Sequence, residues 1–128
     1  MSKHESLLFK GTLGARVTLE SISKYRERFL NKTVGKIDKM LRKRGYETTI
    51  RKSVHSTSQA KVIVIGNSGP DRNITQVQVS PGSQRHGGVP YVKISTTDIG
   101  IVKIIDGTPD QYKTDGKEKS TILFRRHP

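Results

Sequence analysis

The segment from Arg72 to Thr97 holds the residues of this chain best suited to chemistry on an anionic substrate. It contains Arg, Lys, His, Tyr and Ser side chains, and no carboxylate lies between Asp71 and Asp98. Histidine exchanges a proton near neutral pH, and Arg and Lys stabilise charge that builds up on a phosphate in a transition state. This set suits phosphodiester cleavage in RNA, because the 2′-hydroxyl supplies the nucleophile and no metal is required.

Alternation along two predicted strands, over residues 73–80 and 91–97, sorts these side chains by face. Residues two apart in a strand point to the same side of a sheet. If the strands are neighbours, they form a polar face made of Gln76, Gln78, Ser80, Tyr91, Lys93 and Ser95. Any one of these residues is equally expected on the solvated side of a half-buried sheet, so only their combination favours a site.

Two loop histidines are the candidates for proton transfer. His86 lies beside Arg85 in the Gly/Pro-rich loop between the two strands, where glycines let backbone N–H groups approach an anion. His55 lies in a polar segment and would complete an acid–base pair, although a loop histidine without a role is common. In this prediction the histidines act as acid and base, the cations stabilise the phosphate and the hydroxyls position it. The predicted catalytic residues are His86, His55, Arg85, Lys93, Ser95 and Tyr91.

The overall charge indicates a polyanionic partner, which on this ground alone is a nucleic acid, an anionic membrane surface or an acidic protein. The composition is equally compatible with a basic protein that has no specific polyanion. The chain has 128 residues, a formal net charge of +13 and no cysteine, which excludes disulfides, thiolate nucleophiles and zinc–thiolate sites. Residues 1–60 carry 14 basic and 5 acidic side chains, so most of the excess lies there. No apolar stretch approaches the length of a membrane span, and the run at 7–9 is too short for a signal peptide.

Basic side chains outside the predicted catalytic set should hold a nucleic-acid backbone by nonspecific electrostatics, which salt weakens steeply. Those at 42–44 also suit the end of a helix, where cations offset the helix dipole. The predicted backbone-binding residues are Lys39, Arg42, Lys43, Arg44, Arg51, Lys52, Arg72, Arg125 and Arg126.

Apolar spacing divides the chain into a helical part and a strand part. Residues 17–44 have helical spacing, with Thr18 or Ser21 as the cap, a break at 31–33 and Gly45 as the stop. After them the period is two, and turn residues separate the runs. The order predicts one α+β domain, with helices over 1–46 and a mainly antiparallel sheet of about five strands over 47–128. Connections this short leave no room for parallel crossover helices.

A metal-dependent reaction has less support from the sequence. It contains no H-x-x-x-H or H-E-x-x-H motif, and its aspartates fall mainly in turns. We therefore expect no cofactor. Mg²⁺ is the cofactor of the alternative, a deoxyribonuclease.

The run from Asn73 to Phe124 resembles the C-terminal toxin domain of LXG-type polymorphic toxins of Gram-positive bacteria. It also resembles the C-termini of some phage head-morphogenesis proteins. The resemblance covers roughly residues 45–126, and its most specific parts are the stretches 79–83, 85–87, 90–96 and 112–116. Helices followed by a sheet are similar, at the level of fold alone, to the barnase, EndoU, colicin and RelE group of metal-independent ribonucleases.

The resemblance implies a nuclease that is secreted as part of a larger toxin and acts in the cytoplasm of a competitor cell. It also implies a cognate immunity protein, which we expect to be acidic and to cover residues 85–95. Such toxins include ribonucleases and metal-dependent deoxyribonucleases, so the resemblance supports a nuclease more than a substrate. We expect RNA to be the substrate. The alternatives are a metal-dependent nonspecific DNase and a non-catalytic nucleic-acid-binding or phage structural module.

Overall fold

Two short α-helices and one 3₁₀ turn have defined bounds among the described residues of the helical part. The computed structural model describes residues 8–9, 14–53, 59–81, 88–112 and 118–126. The helices are α1 (Leu19–Lys24) and α2 (Val34–Arg42), with the 3₁₀ turn at Arg26–Phe29 between them.

Both predicted cap residues of α1 take part in its N-terminus. The Ser21 N–H donates to the Thr18 hydroxyl and the Thr18 N–H donates to the Ser21 hydroxyl, each at 2.9 Å. This reciprocal capping box satisfies two N–H groups that the first helical turn leaves unpaired. Gly45 follows α2 with a φ of 88°, a conformation that glycine adopts without strain, so the predicted stop is confirmed.

After α2, the residues that the structure describes form one six-stranded sheet in sequential order. The strands are β1 (Thr48–Lys52), β2 (Lys61–Ile65), β3 (Ile74–Ser80), β4 (Tyr91–Thr96), β5 (Ile101–Ile105) and β6 (Thr121–Phe124). Neighbours from β1 to β5 are antiparallel, and β6 pairs with β5 in parallel. The α+β class with N-terminal helices is confirmed, with one strand more than the five expected. The 106–120 connection is long enough for a parallel crossover, which the sequence analysis had not expected.

The main core lies between the helices and one side of the sheet. Cross-strand partners Ile63, Val77 and Ile94 are fully buried there. Phe29 and Leu41 cover them from the helical side and are also fully buried. Each such side chain stabilises the fold by about 1.5–3 kcal/mol.

A β-bulge at the start of β3 departs from the predicted alternation. Ile74 pairs with Thr96 and Gln76 with Ser95, so Thr75 is an additional residue between them. Ile74 is thereby buried in the main core together with Val77. Within the described part of the chain, no helix is long and apolar enough to cross a membrane.

Candidate functional site

The predicted polar face forms on the side of the sheet away from the helices. The register of β3 with β4 joins its six residues in three direct pairs: Gln76–Ser95, Gln78–Lys93 and Ser80–Tyr91. Direct cross-strand partners share a face, so alternation and pairing place all six side chains on one surface. Ser80 is buried and the other five are half-buried. The Gln78 amide also donates to the Tyr91 hydroxyl at 3.3 Å.

A second lysine, which the sequence analysis missed, lies next to this face. Lys103 on β5 is the direct partner of Lys93 and is only 6% exposed. Its ammonium donates to the Tyr112 hydroxyl at 2.7 Å and forms an ion pair with Glu118. The Tyr112 hydroxyl donates in turn to Glu118 at 3.0 Å. The absence of acids from residues 72–97 therefore does not keep carboxylates away, because Glu118 approaches from the β5–β6 connection.

The two lysines differ in how firmly they hold a proton. Burial lowers the pKa of Lys93, the charge of Lys103 lowers it further, and Glu118 partly opposes both effects. Burial also lowers the pKa of Lys103, but its hydrogen bonds to Glu118 and Tyr112 outweigh that cost, so the net shift is upward. Lys103 is therefore a fixed cation, and Lys93 beside it loses its proton more readily than an exposed lysine.

A small apolar cluster covers one end of the same side of the sheet. Val89, Ile105 and Tyr112 are buried in it, and Tyr91 packs against them. The Tyr91 ring also lies 4.6 Å from the Lys103 ammonium. These contacts hold the Tyr91 ring in place, and its hydroxyl accepts the hydrogen bond from Gln78.

The predicted residues His55, Arg85 and His86 lie outside the described residues. Gln59 and Pro81, which border their segments in the sequence, both line one cavity at the end of the sheet. Lys93, Ser95 and Tyr91 are the predicted catalytic residues that the structure brings together.

Five of the predicted backbone-binding residues are exposed in or next to α2 and β1. Lys39 and Arg42 are exposed on α2, Lys43 directly follows it, and Arg51 and Lys52 are exposed on β1. Arg51 is the partner of Val62, which in turn opposes Gln78 of the polar face. A row across the sheet thus carries Arg51 at its edge and Lys93 near its centre.

Arg42 and the remaining four predicted backbone-binding residues make contacts within the protein. Arg42 pairs with Asp38 at 3.2 Å, and the Arg44 guanidinium lies 5.3 Å from the Phe9 ring. The remaining contacts join Arg72 to the Asn67 carbonyl at 2.9 Å, Arg125 to Asp106 at 2.8 Å and Arg126 to the Ser23 carbonyl at 3.3 Å. These arginines help to hold the fold together.

Of the two residues in this ion pair, the sequence carries a signal for Lys103 and none for Glu118. Lys103 is a single cation inside the apolar run Ile101–Ile105, and a charge in such a run is a signal of a buried partner. Glu118 has no comparable signal, because only the fold brings it to β5.

Neither a group of metal-ligating side chains nor a related protein adds to the description of this site. Among the residues that the structure describes, no three His, Asp or Glu side chains are placed to hold a metal ion. Comparisons of the chain with protein-family models, with curated proteins and with solved structures found no match.

Proposed function

We propose that this chain is a nuclease toxin domain that cleaves RNA at the polar face by acid–base chemistry without a metal. The observation that supports it best is the register that pairs Gln78 with Lys93 and Ser80 with Tyr91 on one half-buried face. Glu118 offsets the charge of Lys103 beside them, so Lys93 supplies the net positive charge. A half-buried cation attracts a phosphate more strongly than an exposed one, because water screens it less.

In the proposed reaction the 2′-oxygen attacks the adjacent phosphorus and the bond to the 5′-oxygen breaks. The products are a 2′,3′-cyclic phosphate and a free 5′-hydroxyl. One of His86 and His55 accepts the 2′-hydroxyl proton, and the other donates a proton to the departing 5′-oxygen. Their roles remain those proposed from the sequence.

Lys93 and Arg85 stabilise the charge that develops on the non-bridging phosphate oxygens, and Ser95 and Tyr91 position the phosphate. Lys93 performs this role only as an ammonium. Its pKa lies below the ordinary lysine value, so the site loses this cation at a lower pH than an exposed lysine would. Lys103 lies beside Lys93, and its ion pair with Glu118 offsets its charge.

The proposal is tested by digestion of tRNA, rRNA and plasmid DNA with and without EDTA. RNA fragments that end in a 2′,3′-cyclic phosphate and persist in EDTA support it. Cleavage of DNA that requires Mg²⁺ would replace it with the deoxyribonuclease. Filter binding without fragments would replace it with a non-catalytic binding module.

The proposal includes a secreted parent toxin, action in the cytoplasm of a competitor and an acidic immunity protein over residues 85–95. Tyr91, Lys93 and Ser95 are the polar-face residues within that range, and an acidic partner there would block phosphate binding. Co-expression should relieve toxicity, and the interface should bury Lys93. A complex that leaves Lys93 open to solvent would contradict this part of the proposal.

A further inference from the structure

A cavity of about 520 Å³ lies where the helical part meets the ends of β3 and β4. Phe29, Val79 and Val92 provide apolar walls. Ser80 and Tyr91 line its far side, so the cavity adjoins the polar face at the sheet end. Its volume falls in the range of about 300–1,000 Å³ that is typical of small-molecule sites.

Two lysines stand among the described lining residues of this cavity. Lys32 and Lys61 both line it and are half-buried. Among the lining residues that the structure describes, Asp106 is the acidic one, and its carboxylate is paired with Arg125 at 2.8 Å. The two lysines therefore give the cavity an excess of positive charge.

Lys32 also belongs to a second groove that runs along α2. Four lysines and one methionine line it: Lys32, Lys36, Lys39, Lys43 and Met40. Steps of three and four residues place side chains on one face of a helix. Asp38, the acidic residue of α2, is turned into an ion pair with Arg42 and its side chain is 12% exposed. A row of cations thus leads away from the cavity.

Apolar walls beside cations fit a ligand with a flat apolar part and an adjoining anion. We infer that the cavity binds the base of one unpaired nucleotide, with the flanking phosphates on Lys32 and Lys61 and the strand continuing along the α2 lysines. The inference rests on the proposed function and adds a base-binding subsite to it. A paired base cannot enter without leaving its stack, so the subsite selects single strands.

Fluorescence anisotropy in EDTA tests this with two labelled strands of equal length, an oligodeoxythymidylate and an abasic strand. Both carry the same phosphates and lack the 2′-hydroxyl, so neither is consumed by the proposed reaction. The base-bearing strand should bind about tenfold more tightly, the effect of one well-seated base.

Variants separate the contribution of the base to the affinity from that of the phosphates. Val34 lines the cavity and is half-buried, and Val34→Leu extends into it without changing charge. This variant should weaken binding of the base-bearing strand alone, so that the two strands bind with similar affinity. Lys32→Ala should weaken binding of both strands. Leu19→Met is the control, because Leu19 is exposed on α1 and lines neither the cavity nor the α2 groove, so both affinities should stay unchanged.

Equal affinity of the wild type for the two strands would overturn the inference and leave the proposed function standing. A base preference that survives in Val34→Leu, with the fold intact by circular dichroism, would also overturn it. Failure to bind either strand overturns the inference too, and RNA digestion then decides the proposed function separately.

Discussion

Replacement of Glu118 by Gln removes the carboxylate charge that pairs with buried Lys103. The side chains of Lys103 and Glu118 are only 7% and 16% exposed, so water cannot replace much of the lost interaction. Removing one partner of a buried pair costs about 3–5 kcal/mol. The Gln amide still offers an oxygen to Lys103 and Tyr112, so we expect a loss near the lower limit, about 3 kcal/mol.

The loss should be visible in thermal unfolding at pH 7. With about 2.1 cal/mol/K of unfolding entropy per residue, 3 kcal/mol lowers the Tm of a chain of 128 residues by about 11 °C. Glu47→Gln is the control, because Glu47 is exposed, and it should change stability by less than about 0.5 kcal/mol. In the double variant Lys103→Met with Glu118→Gln neither member of the pair is charged, so much of the loss should be recovered.

A loss below about 1 kcal/mol for Glu118→Gln, the value of an exposed pair, would refute the account of this pair. The same variant has a second readout at Lys93. Glu118 raises the pKa of Lys93 against burial and Lys103, so its neutralisation should lower that pKa further. Nitrogen NMR of the Lys93 side chain measures this, and an unchanged pKa would show that the carboxylate does not act on Lys93.

Three further predictions concern Lys93, Asp98 and Lys39. Cleavage should decline as pH rises through the lowered pKa of Lys93. The variant Lys93→Arg should move this decline to higher pH, because Arg keeps its proton. An unchanged pH profile would exclude Lys93 as the cause of the decline. Hydrogen bonds from Asn73 and Arg16 lower the pKa of Asp98, so its stabilisation is present above the ordinary value of 3.8 and is lost as pH falls through the lowered pKa. In urea unfolding, Asp98→Asn should therefore cost at most about 1 kcal/mol at pH 7 and less in acid, and an equal cost at both pH values would contradict this. Lys39→Ala should reduce the slope of log affinity against log salt for a single strand by about 0.7, and an unchanged slope would place the backbone elsewhere.

The polar face could be predicted because it depends on local rules. Alternation along β3 and β4 assigns each side chain to a side, and the register confirms that the two polar sets share a face. The capping box of α1 is likewise encoded within four residues, Thr18 to Ser21. Such features need no knowledge of distant contacts.

What the sequence analysis missed depends on contacts between distant residues. Glu118 reaches Lys103 only because β6 runs parallel to β5 after a long connection. The bulge at Thr75 arises because Ile74 and Val77 both enter the main core, which strict alternation does not allow. The contact between the Arg44 guanidinium and the Phe9 ring also joins segments far apart in the sequence.

Single-turnover cleavage of RNA in EDTA tests the central claim, that the polar face is the site of reaction, most directly. Lys93→Ala and His86→Ala should each lower the rate by about 100-fold or more, the effect of losing one group that acts on the transition state. Lys24→Ala removes an equal charge from the exposed end of α1 and should leave the rate within about twofold. Full activity in both the Lys93 and the His86 variant would contradict the account and place the reaction elsewhere on the protein.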